Sequence, residues 1–126
     1  MSFSNHAENL VLDWLLTDGS ATRPTAWYVG LFTSDPTDAD SGTEVSGGSY
    51  ARTAVTFSVT GNAATNTAGV EFPAATASWG TVSHIAVYDA STGGNMLFHT
   101  ALDTAKVITD GDVFRLPTSQ LTFSLD

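Results

Sequence analysis

Four carboxylates lie within ten residues in the Gly- and Ser-containing stretch "TSDPTDADSGTE". They belong to Asp35, Asp38, Asp40 and Glu44. Calcium binds several oxygen ligands at once, so Asp35, Asp38 and Asp40 are candidate calcium ligands. The third ligand position, the glycine and the final glutamate of an EF-hand loop do not match, however. The favoured interpretation is therefore a solvated acidic loop that contacts another protein, and no cofactor is expected.

The three histidines are the other candidate metal ligands: His6, His84 and His99. His84 and His99 fall on strands that we predict to be neighbours, so their imidazoles could begin a zinc site. Zinc needs at least a third protein ligand, and no spacing in the sequence identifies one. Because partly buried histidines are more often hydrogen-bonded than metal-bound, we predict no metal at these residues.

Catalytic patterns are weak in this sequence. There is no cysteine, no G-x-S-x-G nucleophile elbow and no phosphate-binding P-loop. Glycoside hydrolysis requires two facing carboxylates, and pairing Glu71 with Asp89 or Asp103 would be arbitrary. We therefore predict a protein that is not an enzyme, without catalytic or cofactor-binding residues.

Two further side chains stand out for contacts rather than catalysis. Arg52 follows Tyr50 and is one of three arginines in an acidic chain, so we expect it either to pair with Glu44 or to be exposed. Trp79 could stack on a sugar if it were exposed. Because a tryptophan ring buries a large area, a core position is the favoured prediction.

The charge composition excludes several partners. The chain has 13 acidic and only 4 basic residues, for a formal net charge of −9. Binding to a nucleic-acid backbone requires several Lys or Arg contacts, so nucleic acid is not an expected partner, nor is an anionic membrane. No signal-peptide pattern or apolar stretch of about 20 residues is present, so we expect synthesis in a cytoplasm and no membrane span.

The N-terminal segment is the one stretch with helical periodicity. Its apolar residues recur at helical spacing, which predicts a helix over residues 6–16. Asn5 is the predicted N-cap, with Glu8 completing a capping box. We expect the apolar stripe to pack on a sheet or on a neighbouring subunit, which makes Leu10 and Trp14 interface candidates.

The remainder, residues 27–125, has the pattern of β-strands. Residues 27–32 are apolar on both faces, which indicates a central strand. Residues 50–60 alternate, which predicts that Val55, Phe57 and Val59 face inward. Residues 60–69 are expected to form a polar loop and residues 89–95 a hairpin loop. Short strands are predicted around residues 96–100, 106–108 and 120–125, among others. Short strands separated by turns predict a mainly β fold, a jelly-roll-like antiparallel β-sandwich forming one domain over residues 1–126.

Four long stretches resemble a family of small virion proteins of tailed bacteriophages, commonly labelled tail-fibre or minor structural proteins. The stretches cover nearly the whole chain, and "TEVSGGSYAR" and "SWGTVSH" are the more specific runs within them. They are "FSNHAENLVLDWLL" (3–16), "YVGLFTSDPTDADSGTEVSGGSYAR" (28–52), "FPAATASWGTVSHIAVYDASTGGNMLFHTAL" (72–102) and "GDVFRLPTSQLTFSLD" (111–126).

The resemblance implies a virion location and implies no catalytic residue. We expect a non-enzymatic structural protein on the tail or its fibres, contacting other virion proteins and forming a homo-oligomer such as a trimer. A capsid decoration protein and a carbohydrate- or receptor-binding module are the alternatives. The full set of interface candidates is Leu10, Trp14, Asp35, Asp38, Asp40, Glu44, Tyr50 and Arg52.

Overall fold

The computed structural model describes residues 1–125 and contains one helix followed by antiparallel sheets. The helix is α1 (Asn5–Leu16). The strands are β1 (Ser2–Phe3), β2 (Tyr28–Phe32), β3 (Thr53–Ala54), β4 (Phe57–Thr60), β5 (Ala63–Asn66), β6 (Val70–Glu71), β7 (Gly80–Tyr88), β8 (Met96–Ile108), β9 (Arg115–Leu116) and β10 (Thr122–Ser124). The prediction of a mainly β, antiparallel chain with one N-terminal helix is confirmed.

Three sheets form the architecture. The largest has the strand order β1-β8-β7-β2-β3, the second has the order β10-β5-β4, and the third is the pair β6-β9. The paired strands run antiparallel in all three sheets. The arrangement is sandwich-like, because apolar side chains from all three sheets share one buried cluster.

Strand β2 is covered on both faces, as its apolar sequence predicts. Val29 and Leu31 are fully buried in the main core, opposite Val87 and Ile85 of β7. The opposite face of the same sheet carries a smaller buried cluster of Phe32, Ala86, Tyr88 and Met96. The prediction that Trp79 belongs to the core is also confirmed, since it is buried and its indole N–H donates to the Gly48 carbonyl at 2.9 Å.

The helix begins one residue earlier than predicted because Ser4, and not Asn5, is its N-cap. The buried Ser4 hydroxyl accepts a hydrogen bond from the Ala7 N–H at 3.1 Å and donates to the Met96 carbonyl. Its backbone N–H donates to the Leu97 carbonyl at 2.9 Å. Ser4 therefore starts the helix and fixes it to β8 with the same side chain.

The single strand predicted over residues 50–60 is wrong, since β3 and β4 belong to different sheets. Between them the Val55 N–H donates to the Trp27 carbonyl, and the chain then leaves the five-stranded sheet. Val55 is buried and Phe57 packs against the core, as predicted. Val59, predicted to face inward, is 75% exposed because it lies at the end of the hairpin, where the three-stranded sheet extends past the core.

The polar loop predicted over residues 60–69 is also wrong, because β5 lies within it. A two-residue Gly61–Asn62 turn connects β4 and β5, with Gly61 at φ 60°. Asn66 at the end of β5 is buried, and its amide N–H groups donate to the carbonyls of Ala68 and Pro117. Its side-chain oxygen accepts the Leu121 N–H at 2.9 Å. A polar sequence can enter the core here because its polar groups are satisfied.

Strand β8 merges two strands that the sequence predicts separately, Met96–Thr100 and Lys106–Ile108. Its register on β7 shifts between the pairs His84–Ala101 and Val82–Lys106, which leaves residues 102–105 as a bulge. The predicted connection at residues 89–95 does form the β7–β8 hairpin loop, which the Asp89 N–H closes by donating to the Asn95 carbonyl at 3.1 Å.

Candidate functional site

The C-terminal half of α1 is an unusual apolar surface. Residues 10–16, "LVLDWLL", contain a single polar residue, Asp13. Ala7 is the only residue of the helix that is buried, whereas Trp14 is 69% and Leu16 is 76% exposed. Leu12 and Leu15 are also largely exposed, and Leu10 is half-buried. The expected stripe is therefore fully buried only at Ala7, and its later residues stay partly or largely exposed.

This exposure has a physical cost. Isolated helices of 12 residues are marginal in water, and a helix that is apolar on all sides is normally buried. Contiguous exposed apolar surface on a soluble domain usually marks a contact site. The exposed half of α1 is therefore a candidate contact surface.

The acidic stretch forms a loop whose two ends are hydrogen-bonded together at the end of β2. The Thr33 N–H donates to the Thr43 carbonyl at 3.0 Å and the Val45 N–H donates to the Leu31 carbonyl at 2.9 Å. Residues 34–43, which we call the acidic loop, leave and re-enter the fold at the same place. The loop also reaches the helix, because the Asn5 N–H donates to the Asp38 carbonyl at 2.8 Å.

Glu44 anchors the base of the acidic loop through the predicted pair with Arg52. The guanidinium donates from Nη2 to Oε1 at 2.8 Å and from Nε to Oε2 at 2.9 Å, a bidentate geometry. The Tyr50 hydroxyl donates to Oε2 of Glu44 at 2.6 Å and accepts the Leu31 N–H at 2.9 Å. Burial lowers the pKa of Arg52, but the hydrogen bond and charge of Glu44, together with Tyr88 and Tyr50, raise it above its usual value. Burial, followed by the hydrogen bond to Glu44, raises the pKa of Tyr50 far above its usual value.

Arg52 also holds a second loop. Its Nη1 donates to the Ala90 carbonyl at 3.1 Å and to the Gly93 carbonyl at 2.8 Å, both in the β7–β8 hairpin. Its guanidinium carbon lies 3.5 Å from the centre of the Tyr88 ring, a cation–π contact. Arg52 thus joins the acidic loop to the hairpin next to it.

Each carboxylate of the acidic loop has a partner within the protein, and His99 lies near two of them, Asp35 and Asp38. The Tyr88 hydroxyl donates to Oδ1 of Asp40 at 2.5 Å, and burial together with that bond raises the pKa of Tyr88. Asp38 Oδ1 lies 2.8 Å from His99 Nε2, and Asp35 Oδ1 accepts the Thr37 N–H at 2.8 Å. Across residues 1–125, no group of three or more His, Cys, Asp or Glu side chains could hold a metal ion.

The other residues weighed for chemistry do not converge. Ser83 Oγ lies 2.8 Å from His84 Nδ1, whereas Glu71 pairs with Arg115 at 3.1 Å on the surface. A cleft of about 710 Å³ lies between β8 and residues 113–122, and Asp103 is the one carboxylate among its described lining residues. That cleft has no histidine in its described lining. Ser83, His84 and Glu71 thus do not line that cleft with Asp103.

The family comparison agrees with an assembly surface. A family model described as podophage GP4 fiber I protein gp80 matches residues 2–124 of the chain. The chain belongs to this family. No curated protein matches the sequence. As a phage fibre structural protein, it has its place in the virion. Within the described residues, no helix has the length and apolar character needed to cross a membrane.

In this fibre protein, the structure places the sequence-predicted candidates in two groups. Leu10 and Trp14 lie on α1, and the other six lie in or beside the acidic loop, namely Asp35, Asp38, Asp40, Glu44, Tyr50 and Arg52. The backbone contact from Asn5 to Asp38 joins the two groups. Sequence reasoning missed Tyr88. For the Glu44 network itself, a signal was present at Gly30. A glycine inside a strand often marks a close approach, and a Cβ there would lie 2.9 Å from Oε2 of Glu44.

Proposed function

We propose that this fibre protein is a non-enzymatic structural component that attaches to another virion protein through the exposed apolar half of α1. The observation that carries the proposal is the exposure of Leu12, Trp14, Leu15 and Leu16 on one short helix. Aromatic and aliphatic side chains of this kind are the usual anchors of protein–protein interfaces. The fibre family supports a place on the tail or its fibres rather than on the capsid.

Charge identifies the chemistry of the partner. Glu8, Asp13 and Asp18 lie along or just beyond the helix, which carries no Lys or Arg. The carboxylates of Asp35 and Asp38, in the adjacent acidic loop, are about half exposed. A matching surface would be an apolar groove with Lys or Arg at its rim, because opposite charges at a rim steer association and suppress wrong partners.

The buried network around Arg52 supports this role indirectly. Glu44, Tyr50, Arg52 and Asp40 are engaged within the chain, so their part in assembly is to hold the acidic loop beside α1. A pre-positioned loop loses less conformational entropy on binding than a mobile one. The buried position of Trp79 removes it as a sugar platform, so no specific observation favours the receptor-binding alternative.

Complementation of a phage that lacks this gene tests the proposal. We expect the double variant Trp14→Gln/Leu16→Gln to fold normally by circular dichroism and to enter particles at least ten-fold less than the unaltered chain. Val107→Gln is the matched control, because Val107 is 64% exposed on β8 and far from α1 in sequence. Incorporation of the double variant at the unaltered level would refute attachment through α1.

A further inference from the structure

The hairpin β4–β5 has an open edge without any charge. Within residues 1–125, the sheet order β10-β5-β4 leaves the outer side of β4 without a neighbouring strand. The sequence from Thr53 to Val70 contains no Asp, Glu, Lys, Arg or His. Natural proteins commonly protect exposed edges with charged residues, proline or bulges, and β4 has none of these.

The register identifies the backbone groups that are free. The Thr67 N–H donates to the Thr56 carbonyl, and Phe57 is opposite Asn66. In an antiparallel pair, alternate residues point their N–H and C=O groups toward the partner strand. Residues Thr56, Ser58 and Thr60 therefore bond to β5, and Phe57 and Val59 present their backbone groups outward.

We propose that β4 pairs with β4 of a second copy about a two-fold axis at Ser58. In that register Phe57 is opposite Val59 of the other copy, and each such pair exchanges two backbone hydrogen bonds, four in all. The pairing rests on the structural role proposed above. It adds to that role a specific contact between two copies of the chain. It joins two three-stranded sheets into one continuous sheet.

The side chains of this edge are self-complementary in that register. On the inner face, Phe57 of one copy covers Val59 of the other, which is 75% exposed in the single chain. Aromatic and β-branched residues are favourable cross-strand neighbours. On the outer face, Ser58 is opposite its own copy and Thr56 is opposite Thr60, so hydroxyl groups meet hydroxyl groups.

Charge is compatible with a second copy as the occupant at this edge, and the self-complementary side chains favour it. A chain with a net charge of −9 repels its own copy wherever two acidic surfaces meet. The 18 residues from Thr53 to Val70 form the segment on which two copies can approach without that repulsion. Other free edges fit less well, because β8 is interrupted by its bulge and carries Asp103 and Lys106 there, and β3 has two residues.

Sedimentation equilibrium of the purified chain, at concentrations up to about 1 mM, tests the pairing. We expect a concentration-dependent species of twice the 13.2 kDa chain mass. Val59→Lys should weaken association at least ten-fold, and so should Ser58→Lys, which places two positive charges at the axis. Val107→Lys, at an exposed valine on a different strand, should leave association unchanged.

Hydrogen exchange gives a second measurement that does not depend on variants. Amides of residues 57 and 59 should exchange more slowly at high protein concentration than at low concentration. A chain that stays monomeric throughout, or equal effects of Val59→Lys and Val107→Lys, would overturn the pairing. So would a trimer that survives Val59→Lys and is lost in Trp14→Gln. Attachment through α1 is tested separately, by the amount of protein that enters phage particles. Either proposal can therefore fail without the other.

Discussion

At the scale of single residues, Arg52 has the largest set of partners in the candidate site. It makes a bidentate ion pair, two bonds to backbone carbonyls and a cation–π contact. Its side chain is 9% exposed and that of Glu44 is 25% exposed. Substituting only one partner of such a buried ion pair lowers stability strongly, because the remaining charge is left buried without its partner.

We expect Arg52→Met to lower the free energy of unfolding by about 2–4 kcal/mol, since Glu44 would remain half-buried and unpaired. Urea denaturation at neutral pH measures the change. Arg115→Met is the control. The ion pair of Arg115 with Glu71 is exposed on both sides, so its loss should lower the free energy of unfolding by less than about 1 kcal/mol. Equal losses in the two variants would mean that the Arg52 network does not stabilise the fold.

Tyr50 makes the stability sensitive to alkaline pH. Its pKa is raised in the folded chain, so the folded state retains the phenol proton that the unfolded state loses near pH 10. The stabilisation is complete below pH 10 and is lost as pH rises above it. One tyrosine of this kind lowers the free energy of unfolding by about 1 kcal/mol between pH 10 and 11.

Urea denaturation of the unaltered chain and of Tyr50→Phe at pH 9, 10 and 11 measures this dependence. The variant starts from a lower stability because it lacks two hydrogen bonds, but its loss between pH 10 and 11 should be smaller. Parallel pH profiles for the two proteins would show that Tyr50 stays protonated equally in both states.

At the scale of elements, the join between α1 and β8 depends on the N-cap. We expect Ser4→Ala to lower the free energy of unfolding by about 1–2 kcal/mol, since the Ala7 N–H loses its acceptor and the Met96 carbonyl loses a donor. Thermal and urea unfolding measure the loss. Ser124→Ala, at an exposed serine in β10, should change stability by less than about 0.5 kcal/mol. A Ser4→Ala protein as stable as the control would contradict the capping role.

The same elements show how far the sequence predicts the fold. Periodicity located α1, β2 and the strand part of residues 121–125, because each has a continuous pattern of one period. It failed for Val59, since alternation indicates a face but not where the covering layer ends. It also failed for β5, because Asn66 becomes buried through hydrogen bonds to Pro117 and Leu121, which are distant in sequence.

At the scale of the whole molecule, charge is unevenly distributed along the chain. Carboxylates concentrate in the acidic loop beside the start of α1, while the hairpin β4–β5 is uncharged. The sequence left Arg52 either paired with Glu44 or exposed, and the structure shows the pair. It did not predict Tyr88 over Arg52 or His99 beside Asp38, because those contacts form only when β7 and β8 lie against the loop.

The short strand β1 has a mechanical consequence. If α1 is the attachment point, a pull on it reaches the sheet by two routes. One is the covalent connection from the end of α1 to β2, and the other is β1, whose Ser2 and Phe3 pair with His99 and Phe98 of β8. Phe3 also packs against Phe123, with ring centres 4.7 Å apart. Force along β1 would load its two residue pairs in shear, so this small anchorage would yield while the covalent connection to β2 still holds.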